Sequence, residues 1–94
     1  MVFDPSQPYR LHPRVAIRPE PFGALAYHYG NRRLNFLRDP DLVTLVEHLA
    51  EHPSVDAALV ASGIAERRWP AFRAALARLA GSDFVTPAGE GEAA

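Results

Sequence analysis

Two alternating segments, Ala24 to Tyr29 and Arg32 to Leu37, flank the dipeptide Gly30-Asn31. Both residues of the dipeptide tolerate positive φ, which is what a two-residue hairpin loop demands. Such a loop pairs Tyr29 with Arg32, Tyr27 with Leu34 and Leu25 with Phe36. Cross-strand partners share a face, so the bulky apolar residues of both strands gather on one side. That side is expected to meet the core. Upstream, Arg14-Val15-Ala16-Ile17-Arg18 alternates arginine, aliphatic, alanine, aliphatic, arginine and reads as a further strand, closed by Pro19-Glu20-Pro21. The constraint is therefore a three-stranded antiparallel meander.

Beyond the meander the pattern turns helical. Asp39-Pro40 joins an N-cap acid to a proline at the first helical position, and an apolar stripe from Leu42 to Ala50 runs on to His52, before Pro53. Ser54 caps a shorter helix that carries Val55, Ala58 and Leu59 and stops at Gly63. A third helix spans about Glu66 to Ala80, with Pro70 in its first turn and Gly81 at its end. Its residues Trp69, Phe72, Leu76 and Leu79 are expected to pack on Leu25, Tyr27, Leu34 and Phe36. Phe84-Val85 adds a last extended piece. The order is that of an α+β, winged-helix-like domain, a three-stranded antiparallel sheet followed by three helices. Residues 1–13 hold Pro5, Pro8 and Pro13 and read as an extended N-terminal arm, pinned by Phe3, Tyr9 and Leu11 or loose. Residues 14–85 then form the domain, and 86–94 a disordered tail.

Composition removes several function classes. A chain of 94 residues has room for one thin core and no deep closed pocket. Its 48% apolar content is that of a globular domain, not a disordered one. Without cysteine there is no disulfide, thiolate nucleophile or iron–sulfur ligand. No serine lies in a nucleophile elbow and no glycine-rich phosphate loop exists. A non-enzyme without a cofactor of its own is expected. No signal peptide or apolar 18-residue run is present, which points to a cytoplasmic protein away from membranes.

Two patterns have a sharp and a bland reading. His48-Leu49-Ala50-Glu51-His52 spells H-x-x-E-H, which on a continuous helix would put two imidazoles on one side for a zinc ion. No third ligand is evident, and a histidine at a helix end is favoured by the dipole anyway. His12 and His28 stand at no ligand spacing. In the third helix, Arg67, Arg68, Arg73 and Arg78 face only Glu66, so that element is locally basic. In a winged-helix DNA-binding module it would enter the major groove. However, the net charge of −1 argues against bulk attraction to nucleic acid.

The sheet edge offers another site. The middle strand is central, and the Arg14–Arg18 strand is blunted by Pro13 and Pro19. The Arg32–Leu37 strand is not. With a two-residue loop, Arg32, Leu34 and Phe36 direct their backbone groups inward, leaving those of Arg33, Asn35 and Leu37 outward. An open edge beside a basic helix suits an extended peptide by strand addition, while a merely solvated edge is the alternative.

The run from Phe3 to Leu34, which opens FDPSQPYRLHPRVAIRPE and continues PFGALAYHYGNRRL, resembles the peptide-chaperone family of the mycofactocin biosynthetic system. The likeness continues more loosely through Leu79. That family is similar to the pyrroloquinoline-quinone peptide chaperone and to other precursor-peptide recognition elements. The resemblance implies a non-catalytic domain that binds the leader of a ribosomally made precursor peptide. It also implies presentation of that peptide to a radical S-adenosylmethionine maturase, which carries the iron–sulfur clusters itself. In the class, the leader adds to the third strand in a cleft toward the third helix. Carried onto this chain, the peptide-binding candidates are Arg33, Asn35, Phe36 and Leu37 on the strand and Phe72, Arg73, Leu76 and Ala77 on the helix.

Overall fold

The structure, a computed structural model, describes residues 2–88. Its main sheet comprises β2 (Val15–Glu20), β3 (Gly23–His28) and β4 (Leu34–Leu37), antiparallel in the order β2-β3-β4. Strand β2 runs on through Pro19. The amide of Tyr29 donates to the Arg14 carbonyl, so even-numbered β2 residues bond to β3 while Val15, Ile17 and Pro19 face the open edge. Proline's missing donor therefore costs no ladder bond. After Pro21-Phe22 the chain re-enters the sheet at Gly23, φ +144°, where a Cβ would lie 2.1 Å from the Leu37 carbonyl oxygen. Only glycine fits that approach.

The β3–β4 register is the expected one, with Tyr27 opposite Leu34 and Leu25 opposite Phe36. The loop is not. His28 N–H donates to the Arg33 carbonyl and Arg32 N–H to the His28 carbonyl, so four residues, 29–32, turn the chain and Arg32 takes φ +64°. The cause is the His28 ring, whose Nδ1 accepts from the amides of Gly30 (2.9 Å) and Asn31 (3.1 Å). Asn31 Oδ1 in turn accepts from Arg33 N–H. These bonds satisfy the loop's donors and replace the Tyr29–Arg32 pair.

The expected inner face is the outer one. Ala24 and Ala26 are 0% and 1% exposed, whereas Leu34 and Phe36 are 56% and 59% exposed. Alternation along β3 then puts His28 inward, at 2%. The alanines leave space that the helices fill, with Leu45, Leu49, Leu59, Leu76 and Phe84 among the fully buried side chains. Phe72, Leu76 and Leu79 do reach the core, but the main-sheet residues buried in that core are Ala24, Ala26 and Leu37. On the solvent side, rings pair edgewise: Tyr27 with Tyr29 at 4.8 Å and Phe22 with Phe36 at 5.8 Å.

The helices are α1 (Pro40–His48), α2 (Val55–Ala61) and α3 (Trp69–Gly81). Asp39 accepts from Asp41 N–H at the start of α1, and Ser54 from Ala57 N–H at the start of α2. Helix α1 ends at His48, and Leu49–Glu51 form a 3₁₀ turn. Gly63 (φ +71°) closes α2, with Ile64 N–H donating to the Leu59 carbonyl. At the end of α3 the left-handed residue is Asp83 (φ +69°), not Gly81, and Phe84 N–H donates to the Leu79 carbonyl. The three helices together with the main sheet give the α+β order expected.

The N-terminal arm is built into the fold. Tyr9–Leu11 form β1, antiparallel to β5 (Val85–Pro87). Tyr9 is buried, its ring 4.9 Å from Phe3, and its hydroxyl accepts from Asp4 N–H. The carbonyls of Gln7 and Pro5 accept from Val55 and Asp56 N–H, orphan donors of the first turn of α2. Thr86 and Pro87, read from sequence as tail, belong to β5; residues 89–94 lie outside the described residues.

The inverted sheet yields opposed outcomes. Ala26→Leu should overpack the core and cost about 1–3 kcal/mol. Phe36→Ala should stay within about 1 kcal/mol of the parent. Thermal melts of the two variants check both.

Candidate peptide-binding edge

Strand β4 is an edge strand. Because His28 N–H bonds to the Arg33 carbonyl, the next hydrogen-bonded pairs along the strand are Ala26–Asn35 and Ala24–Leu37. The backbone groups of Leu34 and Phe36 therefore face the open edge, while those of Asn35 and Leu37 face β3. This inverts the expected outward set. A closing pair at His28–Arg33 instead of Tyr29–Arg32 keeps the register and exchanges the bonded and unbonded positions.

The strand-side candidates have separate surroundings. Arg33 is exposed, and its carbonyl and amide are engaged by His28 and Asn31. Asn35 is half-buried opposite Ala26. The Phe36 ring is exposed on the outer face, and Leu37 is a core residue. Of the helix candidates, Phe72 and Leu76 are buried and Ala77 is half-buried. Arg73 is committed: its Nε and Nη2 both donate to Asp56 Oδ1, at 3.0 and 2.8 Å, and its guanidinium lies over Trp69. That ties the Arg73 side of α3 to α2.

The opposite flank of α3 lines a groove. A shallow cleft of about 130 Å³ opens where β4 passes into α1, between Asp39 and Leu42 on one side and Ala71, Phe72 and Ala75 on the other. Leu42, Ala71 and Ala75 are not among the residues that sequence reasoning selects. The spacing of Ala71 and Ala75 at i and i+4, beside Phe72, is the signal that marks them. Arg68 closes one end of this region, with Nη2 on Asp39 and Nη1 on Asp41, each at 2.8 Å, and its guanidinium over the Phe72 ring. Its hydrogen bond to Asp41 is the main cause that raises its pKa above the ordinary arginine value.

Charge is thus distributed otherwise than the sequence suggests. Of the four arginines that the sequence groups in a basic third helix, Arg68 and Arg73 are bound by Asp39, Asp41 and Asp56, while Arg67 and Arg78 are exposed without an ion pair among the described residues. Arg14, Arg32, Arg33 and Arg38, around the sheet, are exposed and make no ion pair among the described residues.

The histidines regroup as well. His48 Nδ1 meets Glu51 Oε2 at 2.7 Å on the surface, and the 3₁₀ turn separates His48 from His52, which has extended backbone. The two imidazoles do not sit one turn apart on a continuous α-helix. Instead, His12, His28 and Asp83 come together, ligand-type atoms within 4.8 Å of one another. Sequence spacing carries no hint of this trio. Each imidazole uses Nδ1 as an acceptor, His12 from Arg14 N–H and His28 from Gly30 and Asn31 N–H. The hydrogen-bond network therefore assigns the proton of each neutral ring to Nε2, which faces Asp83 Oδ2 at 3.5 Å (His12) and 3.2 Å (His28). A metal would need those Nε2 lone pairs and would set two Nδ1 protons against backbone donors. The trio suits a clasp between β1, β3 and the end of α3.

The family profile of the peptide chaperone MftB family matches residues 8–86. The chain is 46% identical over 85 residues to the peptide chaperone MftB of Mycobacterium ulcerans, covering 90% of this chain and 78% of that protein. It is 45% identical over 87 residues to the protein of the same name from Mycolicibacterium smegmatis, covering 93% and 85%. For that of Mycobacterium tuberculosis the identity is 44% over 85 residues, covering 90% and 78%. No solved structure matches the chain.

The Glu51 hydrogen bond, then its charge, raises the His48 pKa above the ordinary histidine value. NMR titration should find His48 higher in the parent than in Glu51→Gln. Since the folded pKa is the raised one, the interaction is fully present below the unfolded pKa and is lost as pH rises through the folded pKa.

Proposed function

Because the chain belongs to the peptide chaperone MftB family, we propose that it captures the leader of a ribosomally made precursor peptide as an added strand on β4. The bound peptide is then presented to a radical S-adenosylmethionine maturase in mycofactocin biosynthesis, and on this reading the exchange is cytoplasmic. The family is one of peptide chaperones, not catalysts. Among the described residues, no helix is long and apolar enough to cross a membrane.

One observation carries the binding mode: β4 ends the sheet with the backbone groups of Leu34 and Phe36 turned outward. An incoming strand can exchange bonds with both residues. At about 1 kcal/mol net for each bond, this supplies roughly half of the 8 kcal/mol that micromolar affinity needs. Side chains of the leader must supply the rest. The groove beside Leu42, Phe72 and Ala75 lies where a strand running past Leu37 would continue. The recognition domain on this reading takes in β1 as well as residues 14–85, since β1 is paired to β5. A groove-reading DNA helix is not favoured, because Arg68, just before α3, and Arg73, within it, are held by carboxylates, which leaves only Arg67 and Arg78 of that segment without an ion pair among the described residues.

Proline substitutions separate binding from folding. Phe36→Pro removes an outward donor and should weaken leader binding at least tenfold in calorimetric titration, with circular dichroism close to the parent. Asn35→Pro removes a bond to β3 and should lower the melting temperature. Strand addition at this edge is wrong if folded Phe36→Pro protein binds the leader as tightly as the parent.

A further inference from the structure

The outer face of the sheet is a second surface, perpendicular to the β4 edge. Ala16, Leu25, Tyr27, Tyr29 and Leu34, with Arg18, line a depression of about 310 Å³, and Phe36 lies beside it. Antiparallel sheets with one wet face ordinarily turn polar residues toward water. Here the small side chains face inward, and Tyr29, Leu34 and Phe36 are among the most exposed large apolar residues of the protein. An apolar patch of this kind marks an interaction surface.

Charge indicates what covers it. Residues 14–38 hold Arg14, Arg18, Arg32, Arg33 and Arg38 against a single carboxylate, Glu20, in a chain whose net charge is −1. Glu20 is taken by Arg18 at 2.7 Å, and the other four arginines have no ion-pair partner among the described residues. Arg14, opposite Tyr29, Arg18, opposite Leu25, and Arg38, next to the buried Leu37, fall on the outer side by alternation, whereas Arg33, opposite His28, does not. The face is thus an aromatic and aliphatic centre with a cationic rim. A second copy seated symmetrically would set that rim against itself. Single-stranded nucleic acid requires rings open for stacking, but Tyr27 and Tyr29 meet edge to face, at an interplanar angle of 87°. An aliphatic patch ringed by aspartate and glutamate on a folded protein satisfies both the centre and the rim.

We infer that the outer face of the sheet is the docking surface for such a protein, and that peptide and protein partner are held at the same time, one on the edge and one on the face. The identity of the partner rests on the function proposed for the β4 edge, which makes it the maturase that receives the peptide. The face itself stands on its own residues.

The test titrates the radical S-adenosylmethionine maturase with the parent, with an Arg14→Glu/Tyr29→Asp double variant, and with Phe36→Pro. Both substituted side chains of the double variant are exposed, and circular dichroism melts confirm its folding. Expected are a loss of at least tenfold in maturase affinity for the double variant, unchanged leader affinity, and parent binding to the maturase that weakens with salt. Equal maturase affinity for parent and double variant overturns the inference, as does a parent that forms no complex with the maturase. It is also overturned if sedimentation finds a parent dimer that the double variant abolishes, or if the parent binds an oligouridylate through these residues. Failure of strand addition is read separately, from leader binding by Phe36→Pro. A double variant that loses only the maturase supports the docking face whichever way that result falls.

Discussion

The imidazole of His28 fixes more of this structure than any other side chain. By accepting from Gly30 and Asn31 it selects a four-residue loop, and that loop decides which β4 residues bond to β3 and which face the open edge. By facing Asp83 it turns inward, and alternation then carries Ala26 and Ala24 inward with it. The helices approach to the distance that two methyl groups allow, and the aromatic side chains are left on the outside. Gly30 is part of the same device, since a Cβ there would lie 2.7 Å from His28 Cε1. A single ring thus links hairpin geometry, core composition and the chemistry of the exposed face.

Much of the fold was legible because it is written locally. The Asp39-Pro40 and Ser54 caps are short-range hydrogen-bonding devices, and both are present. The β3–β4 register obeys a pairing rule that holds for either loop length. The resemblance carried by the first third of the chain likewise agrees with the family match over residues 8–86. What could not be read was set by distant contacts. Hydrophobicity alone ranks Leu25, Tyr27, Leu34 and Phe36 as core, and it gives no account of the volume that Leu45, Leu49 and Phe84 bring to the inner face. Gly30-Asn31 favours a two-residue loop on local grounds, and the His28 side chain, one position outside that turn, overrules it.

The candidate site was legible in kind but not in detail. An open edge strand was expected and is present. Its outward backbone groups are those of Leu34 and Phe36, because the closing pair of the hairpin lies at His28–Arg33. On the helix side, sequence favoured Arg73 and Ala77, yet Asp56 holds Arg73 toward α2. Phe72 is shared by both sets, and its neighbours in the groove are small residues that carry no charge to draw the eye. Cations in a sequence show where charge is, and only the fold shows where it is neutralised.

The pairing of β1 with β5 has a consequence for how the molecule opens. Each strand has three residues, and a ribbon of that length is marginal on its own. The segment that forms β1 also lends the Pro5 and Gln7 carbonyls to α2. Undoing the ribbon therefore uncaps a helix elsewhere, so the two should exchange their amide protons as one cooperative unit with a shared opening free energy. The chain's most sequence-distant strand pairing thus governs the lifetime of one of its most local elements.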